Sequence, residues 1–150
     1  MPALLSTVIV LAGLTPPASA GPDEQSAAGS IPLEVRWVVT GGFWESGDEH
    51  GTCRVVVIES GWELVSCTAR VEWLAERPDA GIRVMASSAE LDEIPPDTWS
   101  LGNPVLEYQA GTSSTLLTIP ATGSRSGEER SFSFELAAPG DYSEVRAPGM

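Results

Sequence analysis

Cys53-Arg54-Val55-Val56-Val57-Ile58-Glu59-Ser60-Gly61-Trp62-Glu63-Leu64-Val65-Ser66-Cys67 holds both cysteines of the chain, one at each end. The β-branched run before Glu59-Ser60-Gly61 and the apolar, tryptophan-led run after it read as two strands of a hairpin. A three-residue turn with Gly61 in the left-handed position folds this segment about Ser60. Ile58 then faces Trp62, and Cys53 faces Cys67. If the closing pair is hydrogen-bonded, the cysteines fall on a non-hydrogen-bonded pair with Cα atoms about 4.5 Å apart, within disulfide reach. The expectation is a cross-strand disulfide stabilising the fold by roughly 3 kcal/mol in the chain-entropy model. Such a bond implies an oxidising compartment.

Strand patterns continue on both sides of this hairpin. Upstream, Ile31, Leu33, Val35, Trp37 and Val39 alternate with Pro32, Glu34, Arg36 and Thr40, predicting a strand that Gly41-Gly42 ends. Phe43 to Thr52 has loop composition. Downstream, Ala69, Val71 and Trp73 alternate with Thr68, Arg70 and Glu72, and Pro78 and Gly81 mark the next turn. Ile82 to Ala86 reads as a short strand, and Ser87 to Ile94 as one capped helical turn before Pro95-Pro96. Val105 to Ala110 and Thr115 to Ile119 form a further hairpin, and Thr122 to Glu129 is a polar loop. In Ser131 to Leu136 the residues Phe132, Phe134 and Leu136 point inward, and Tyr142 to Val145 supplies a last edge strand. About seven short strands separated by turn signals, with no long amphipathic helix, predict an all-β fold. We expect a single small antiparallel β-sandwich of immunoglobulin-like type, with a small barrel as the second choice.

The N-terminus reads as an export signal. Ala3 to Leu14 is uncharged and mostly apolar, too short to span a bilayer as a helix. Ala18-Ser19-Ala20 fits the small-x-small cleavage pattern, although no Lys or Arg precedes the apolar run. The expected organisation is a signal peptide over 1–20, a disordered leader over 21–30, the sandwich over 31–146 and a disordered tail over 147–150. We therefore expect a secreted or periplasmic protein whose mature chain does not insert into a membrane.

The chain carries 21 acidic and 8 basic residues, a net charge of −13, and every basic residue is arginine. Such a surface repels phosphate backbones, which argues against nucleic-acid binding and against anionic membranes. It suits solubility outside the cell or a basic partner.

Catalytic chemistry finds little support. Any serine or cysteine triad must run through His50, the single histidine. Gly123-Ser124-Arg125-Ser126-Gly127 fails as a nucleophile elbow because Arg125 occupies the serine position. Glu45, Asp48, Glu49 and His50 share one loop, but their spacing is not that of a calcium loop and one histidine is poor for zinc. We expect no catalytic residues, no metal and no cofactor. The five tryptophans are the surplus. Trp37 and Trp73 fall on inward faces, whereas Trp44, Trp62 and Trp99 lie at turns or loops, where aromatic rings form binding surfaces. Phe43, Trp44, Trp62 and Trp99 are the candidate binding residues.

Val35-Arg36-Trp37-Val38-Val39-Thr40-Gly41-Gly42-Phe43, followed by a hairpin, resembles the strand and "SGGF" segment of emfourin-like proteins, small bacterial inhibitors of thermolysin-like metallopeptidases. The resemblance covers Val35 to Cys67, and Trp44-Glu45 stand where that segment often has Ala-Gly. It implies a contact loop at Gly42, Phe43 and Trp44. The main expectation remains an exported, non-catalytic module that binds an extracellular or envelope protein. The alternative is a metallopeptidase inhibitor acting through Gly41 to Trp44.

Overall fold

The computed structural model describes residues 33–61 and 65–146. The expectations for residues 1–32 and 147–150 and for Trp62 lie outside the described residues. Nine strands form: β1 (Val35–Ser46), β2 (Glu49–Ser60), β3 (Ser66–Arg77), β4 (Ile82–Glu90), β5 (Trp99–Leu101), β6 (Val105–Gln109), β7 (Ser114–Gly123), β8 (Glu129–Leu136) and β9 (Tyr142–Glu144). They make two antiparallel sheets, ordered β1-β2-β3-β4 and β5-β7-β8-β9, with β6 also on β7. Among the described residues the expected all-β antiparallel sandwich forms, with nine strands instead of about seven and no closed barrel. The chain completes the first sheet, a meander, before starting the second, in which β6-β7-β8-β9 follow one another in order. β5 pairs with Ala121–Gly123 and β6 with Ser114–Thr118, so these two short strands share one edge of β7 on either side of Gly102-Asn103-Pro104.

Alternation builds the core. Cys53, Val55 and Val57 of β2 and Ala69, Val71, Trp73 and Ala75 of β3 turn one face inward. Leu117, Ile119 and Ala121 of β7 and Phe132, Phe134 and Leu136 of β8 meet them from the second sheet in the same buried cluster. Leu91 and Ile94 are buried on the crossing between the sheets. That crossing is a turn among the described residues, not the expected helical turn, because β4 carries Ser87–Glu90 as strand before Leu91 is reached.

The central hairpin takes a different register from the one expected. Ten residue pairs join β2 to β3, from Gly51↔Ala75 to Ser60↔Ser66. Ile58 faces Thr68 instead of Trp62, and the ladder runs past the expected three-residue turn at Glu59 to Gly61 to close at Ser60↔Ser66. Gly61 keeps the expected positive φ, at 98°. The physical reason lies in the charges that each register places. A three-residue turn would set the Glu63 carboxylate opposite Val57 on the face that becomes the core. The observed register sets Arg54 against Glu72, with a 2.5 Å ion pair. Arg70 binds the same, nearly buried carboxylate at 3.0 Å.

This register removes the expected disulfide. Cys53 lies opposite Trp73 and Cys67 opposite Glu59, and both cysteines are free and buried. Six residues of strand separate Cys53 from Glu59, roughly 20 Å, against a Cα limit of about 7 Å. The compartment inference drawn from the cysteines falls with the bond. Burial pushes the Cys53 thiol up to about 12. Burial also raises Cys67, helped by the Glu59 carboxylate, which accepts from its Sγ at 3.7 Å.

Two outcomes are expected from these thiols. Alkylation in denaturant should mark both, whereas the native protein at neutral pH should resist the reagent, and a reductant should leave Tm unchanged. The second concerns alkaline pH. The folded state holds the Cys53 proton more tightly than an exposed thiol, which titrates near 9.0. Stability from this group is therefore complete below that value and is lost as pH rises toward about 12. The slope is on the order of 1.4 kcal/mol per pH unit. Urea midpoints across this range should fall, and Cys53→Ala should flatten the fall.

The first strand also departs from its expected alternation. A register shift between Val35 and Trp37 interrupts the ladder to β2. Leu33 is fully exposed and Trp37 is 36% exposed, so neither is a core residue. Gly41-Gly42 does not end the strand; β1 continues to Ser46 and turns at Gly47-Asp48, with Gly47 at φ 60°.

Candidate functional site

The segment Gly41-Gly42-Phe43-Trp44 is a β-bulge. Gly41 pairs with Cys53 and Trp44 with Gly51, so two residues of β1 oppose Thr52 alone. The extra residue resets the alternation and sends Trp44 into the core, where it is fully buried and donates from Nε1 to the Thr52 carbonyl at 3.2 Å. Phe43 stays partly exposed.

Thr115 of β7 holds this bulge from the other sheet. Its fully buried hydroxyl accepts from the Phe43 N–H at 2.9 Å and donates to the Phe43 carbonyl at 2.9 Å. One side chain thus satisfies both backbone groups that the bulge withdraws from the ladder. Gly42, at φ 66°, permits the approach: a Cβ there would lie 2.4 Å from Thr115 Cγ2. Neighbouring Gly41 lies against Leu106, its notional Cβ 3.6 Å from the Leu106 Cβ. β1 and β6 consequently run side by side in the same direction along one seam of the sandwich.

The Phe43 ring occupies that seam. It stacks on His50 at 6.1 Å and meets Tyr108 edge to face at 5.6 Å and 86°, both within the range of favourable aromatic pairs. Tyr108 is 45% exposed and Val105 47%, and His50 is exposed. The other two aromatic pairs each have a buried member, Phe132 beside Trp99 and Phe134 beside Tyr142.

Of the expected binding residues, only Phe43 reaches the surface among those described. Trp44 is core. Trp99 is 7% exposed, packed on Phe132, with the Arg130 guanidinium 5.9 Å from its own ring and 4.5 Å from that of Phe132. His50 and Tyr108 join Phe43 instead. His50 entered the sequence reading only as a possible catalyst or ligand. Tyr108 gave no local signal, since its contact spans a long separation in sequence.

The acidic loop of the sequence is the turn of the β1–β2 hairpin. Glu45 lies opposite His50 and Ser46 opposite Glu49, and Glu49 pairs with Arg77 at 2.7 Å. Among the described residues no three His, Cys, Asp or Glu side chains converge as a metal-binding group. The Gly123–Gly127 segment closes on itself, the Gly127 N–H donating to the Gly123 carbonyl at 2.9 Å. A shallow groove of about 1170 Å³ lies over β7 and β8, lined by Pro120, Thr122, Ser131 and Ser133. At its rim Glu144 is shared by Arg146, at 3.2 Å, and Arg130, at 3.9 Å. Among the described residues no helix is long and apolar enough to cross a membrane.

No family model, no curated protein and no solved structure matches the chain.

Proposed function

We propose that this chain is an exported, non-catalytic binding module that presents the Phe43–His50–Tyr108 cluster to an extracellular or envelope protein. The supporting observation is that cluster: three rings at the surface of a seam, fixed by the Thr115 hydroxyl on a rigid two-sheet scaffold. Aromatic side chains held in place at a surface lose little entropy on binding, which is what makes them efficient contact residues. Export rests on the Ala3–Leu14 run and the Ala18-Ser19-Ala20 pattern alone.

The inhibitor alternative would draw on Phe43, because Trp44 is buried and Gly42 is pressed against Thr115. Affinity capture from the envelope and culture-fluid fractions tests the main reading, with residues 21–150 as bait. A partner retained by the wild type and lost with Phe43→Ala plus Tyr108→Ala is the expected result. A partner retained equally by the double variant would overturn it. Inhibition of secreted metallopeptidases, abolished by Phe43→Ala, would favour the alternative.

A further inference from the structure

We infer that the β1–β6 seam takes a basic, extended segment of a partner protein, seating an arginine or lysine side chain against the Phe43 and Tyr108 rings. This rests on the proposal that the seam is the binding surface, and adds the chemistry of what it binds.

Charge is the first argument. The two stretches that build the seam contain no arginine or lysine: none lies between Arg36 and Arg54, and none between Arg83 and Arg125. Glu45 and Asp48 flank the Phe43–His50 stack on the hairpin, and Glu107 precedes Tyr108 on β6 but, paired with Leu116, lies on the opposite face of that strand. Among the described residues none of these three carboxylates has an arginine partner, whereas Glu49, Glu59, Glu72, Glu76 and Glu144 each do. The seam is thus an uncompensated acidic strip in a chain of net charge −13, and it raises the local concentration of cations.

The rings supply the second argument. Aromatic faces attract guanidinium and ammonium groups through their quadrupole. The chain already uses this contact at Arg130, which lies 4.5 Å from the Phe132 ring centroid. At the seam the rings are partly open, and neither stretch has an arginine or lysine to cover them.

Shape is the third. Gly41 lies beside Leu106 and Phe43 beside Tyr108, so the strip follows two strands running in the same direction. Trp37 and Val105, 36% and 47% exposed, belong to the same two strands. A narrow strip that mixes apolar and acidic positions fits an extended segment alternating basic with apolar residues better than it fits a folded face. An anionic partner, nucleic acid included, is repelled by the same charges.

The test uses residues 21–150 and a short peptide alternating arginine with leucine. Versions carrying citrulline or glutamate in place of arginine are run beside it. Citrulline keeps the shape and removes the charge. Binding of the arginine peptide, at least about tenfold tighter than the citrulline form, is expected. Glu45→Gln with Asp48→Asn should weaken it severalfold and flatten its salt dependence. Glu128→Gln with Glu129→Gln, exposed and away from the seam, should not. These changes are on exposed side chains, and circular dichroism confirms that each variant is folded. Equal losses from the two charge-removing pairs would reduce the effect to net charge and overturn the inference. Citrulline binding as tight as arginine binding, yet sensitive to Phe43→Ala, would also overturn it while leaving the seam as the surface. Peptide binding insensitive to Phe43→Ala and Tyr108→Ala would overturn the inference and the surface together.

Discussion

Gly51→Ala is expected to leave the chain largely unfolded at room temperature. Gly51 lies in β2 between two neighbours, paired with Trp44 on β1 and with Ala75 on β3. A Cβ at this position would lie 1.8 Å from the Leu74 carbonyl oxygen, 2.8 Å from the Leu74 carbonyl carbon and 3.0 Å from the Ala75 Cα. All three are backbone atoms, so no rotamer change relieves the overlap. β3 must move away from β2, which breaks ladder bonds and loosens Trp44 and Trp73 in the core. A cost above about 4 kcal/mol is the scale of the severest point mutations. It compares with a total stability of roughly 5–15 kcal/mol for a domain. Two other glycines calibrate the result. Gly111 has open space around it and no positive φ, so Gly111→Ala should be neutral or slightly stabilising. Gly47 also has open space but sits at φ 60°, so Gly47→Ala should cost about 1–2 kcal/mol. Urea titrations followed by tryptophan fluorescence will rank the three. A folded Gly51→Ala protein with a near-native midpoint would show that the β2–β3 approach is not as drawn.

That glycine stood in a stretch whose composition reads as loop, and the contrast shows where sequence reasoning stops. Alternation in Ser131–Leu136 was enough to place Phe132, Phe134 and Leu136 in the core, because one buried face leaves a period of two in the residues themselves. The β6–β7 hairpin was legible for the same reason. The central hairpin was not. Its two candidate registers differ by an even number of residues, so every side chain keeps its face and alternation cannot choose between them. What decides is pairwise: a three-residue turn would set Glu63 against Val57, whereas the observed register sets Arg54 against Glu72. The symmetric placement of the two cysteines favours the other register, but that register carries a charge on the core face, which outweighs it.

The site was half legible. Phe43 stood out because it follows Gly41-Gly42, and the bulge does present it. The bulge also inverts the expectation for its neighbour, since one extra residue turns Trp44 from a surface residue into core. Tyr108 and Thr115 were invisible at this level: both reach Phe43 from the second sheet, across more than sixty residues of chain.

Thr115→Val is expected to be the most damaging isosteric change in the molecule, lowering stability and disabling the seam together. The two side chains have nearly the same shape, so packing is preserved and only the hydroxyl is lost. That hydroxyl partners both the N–H and the carbonyl of Phe43. Valine leaves these two groups without partners in a place where Thr115 itself is fully buried. At about 1–3 kcal/mol for each unsatisfied buried group, the expected loss for the two is about 2–6 kcal/mol. Serine distinguishes the hydrogen bonds from the packing. Thr115→Ser keeps the hydroxyl, removes one methyl group and should cost about 1 kcal/mol. Gly42→Ala attacks the same contact from the other side, since its Cβ would collide with Thr115 and its backbone sits at φ 66°. All three variants leave Phe43, His50 and Tyr108 in the sequence, so binding measured on folded protein reports their arrangement alone. Valine and Gly42→Ala should weaken binding at the seam, and serine should retain it. Equal stability of the valine and serine proteins would mean that water or a neighbouring group satisfies the bulge. Phe43 would then owe its position to its ring contacts with His50 and Tyr108, and not to the clasp between the sheets.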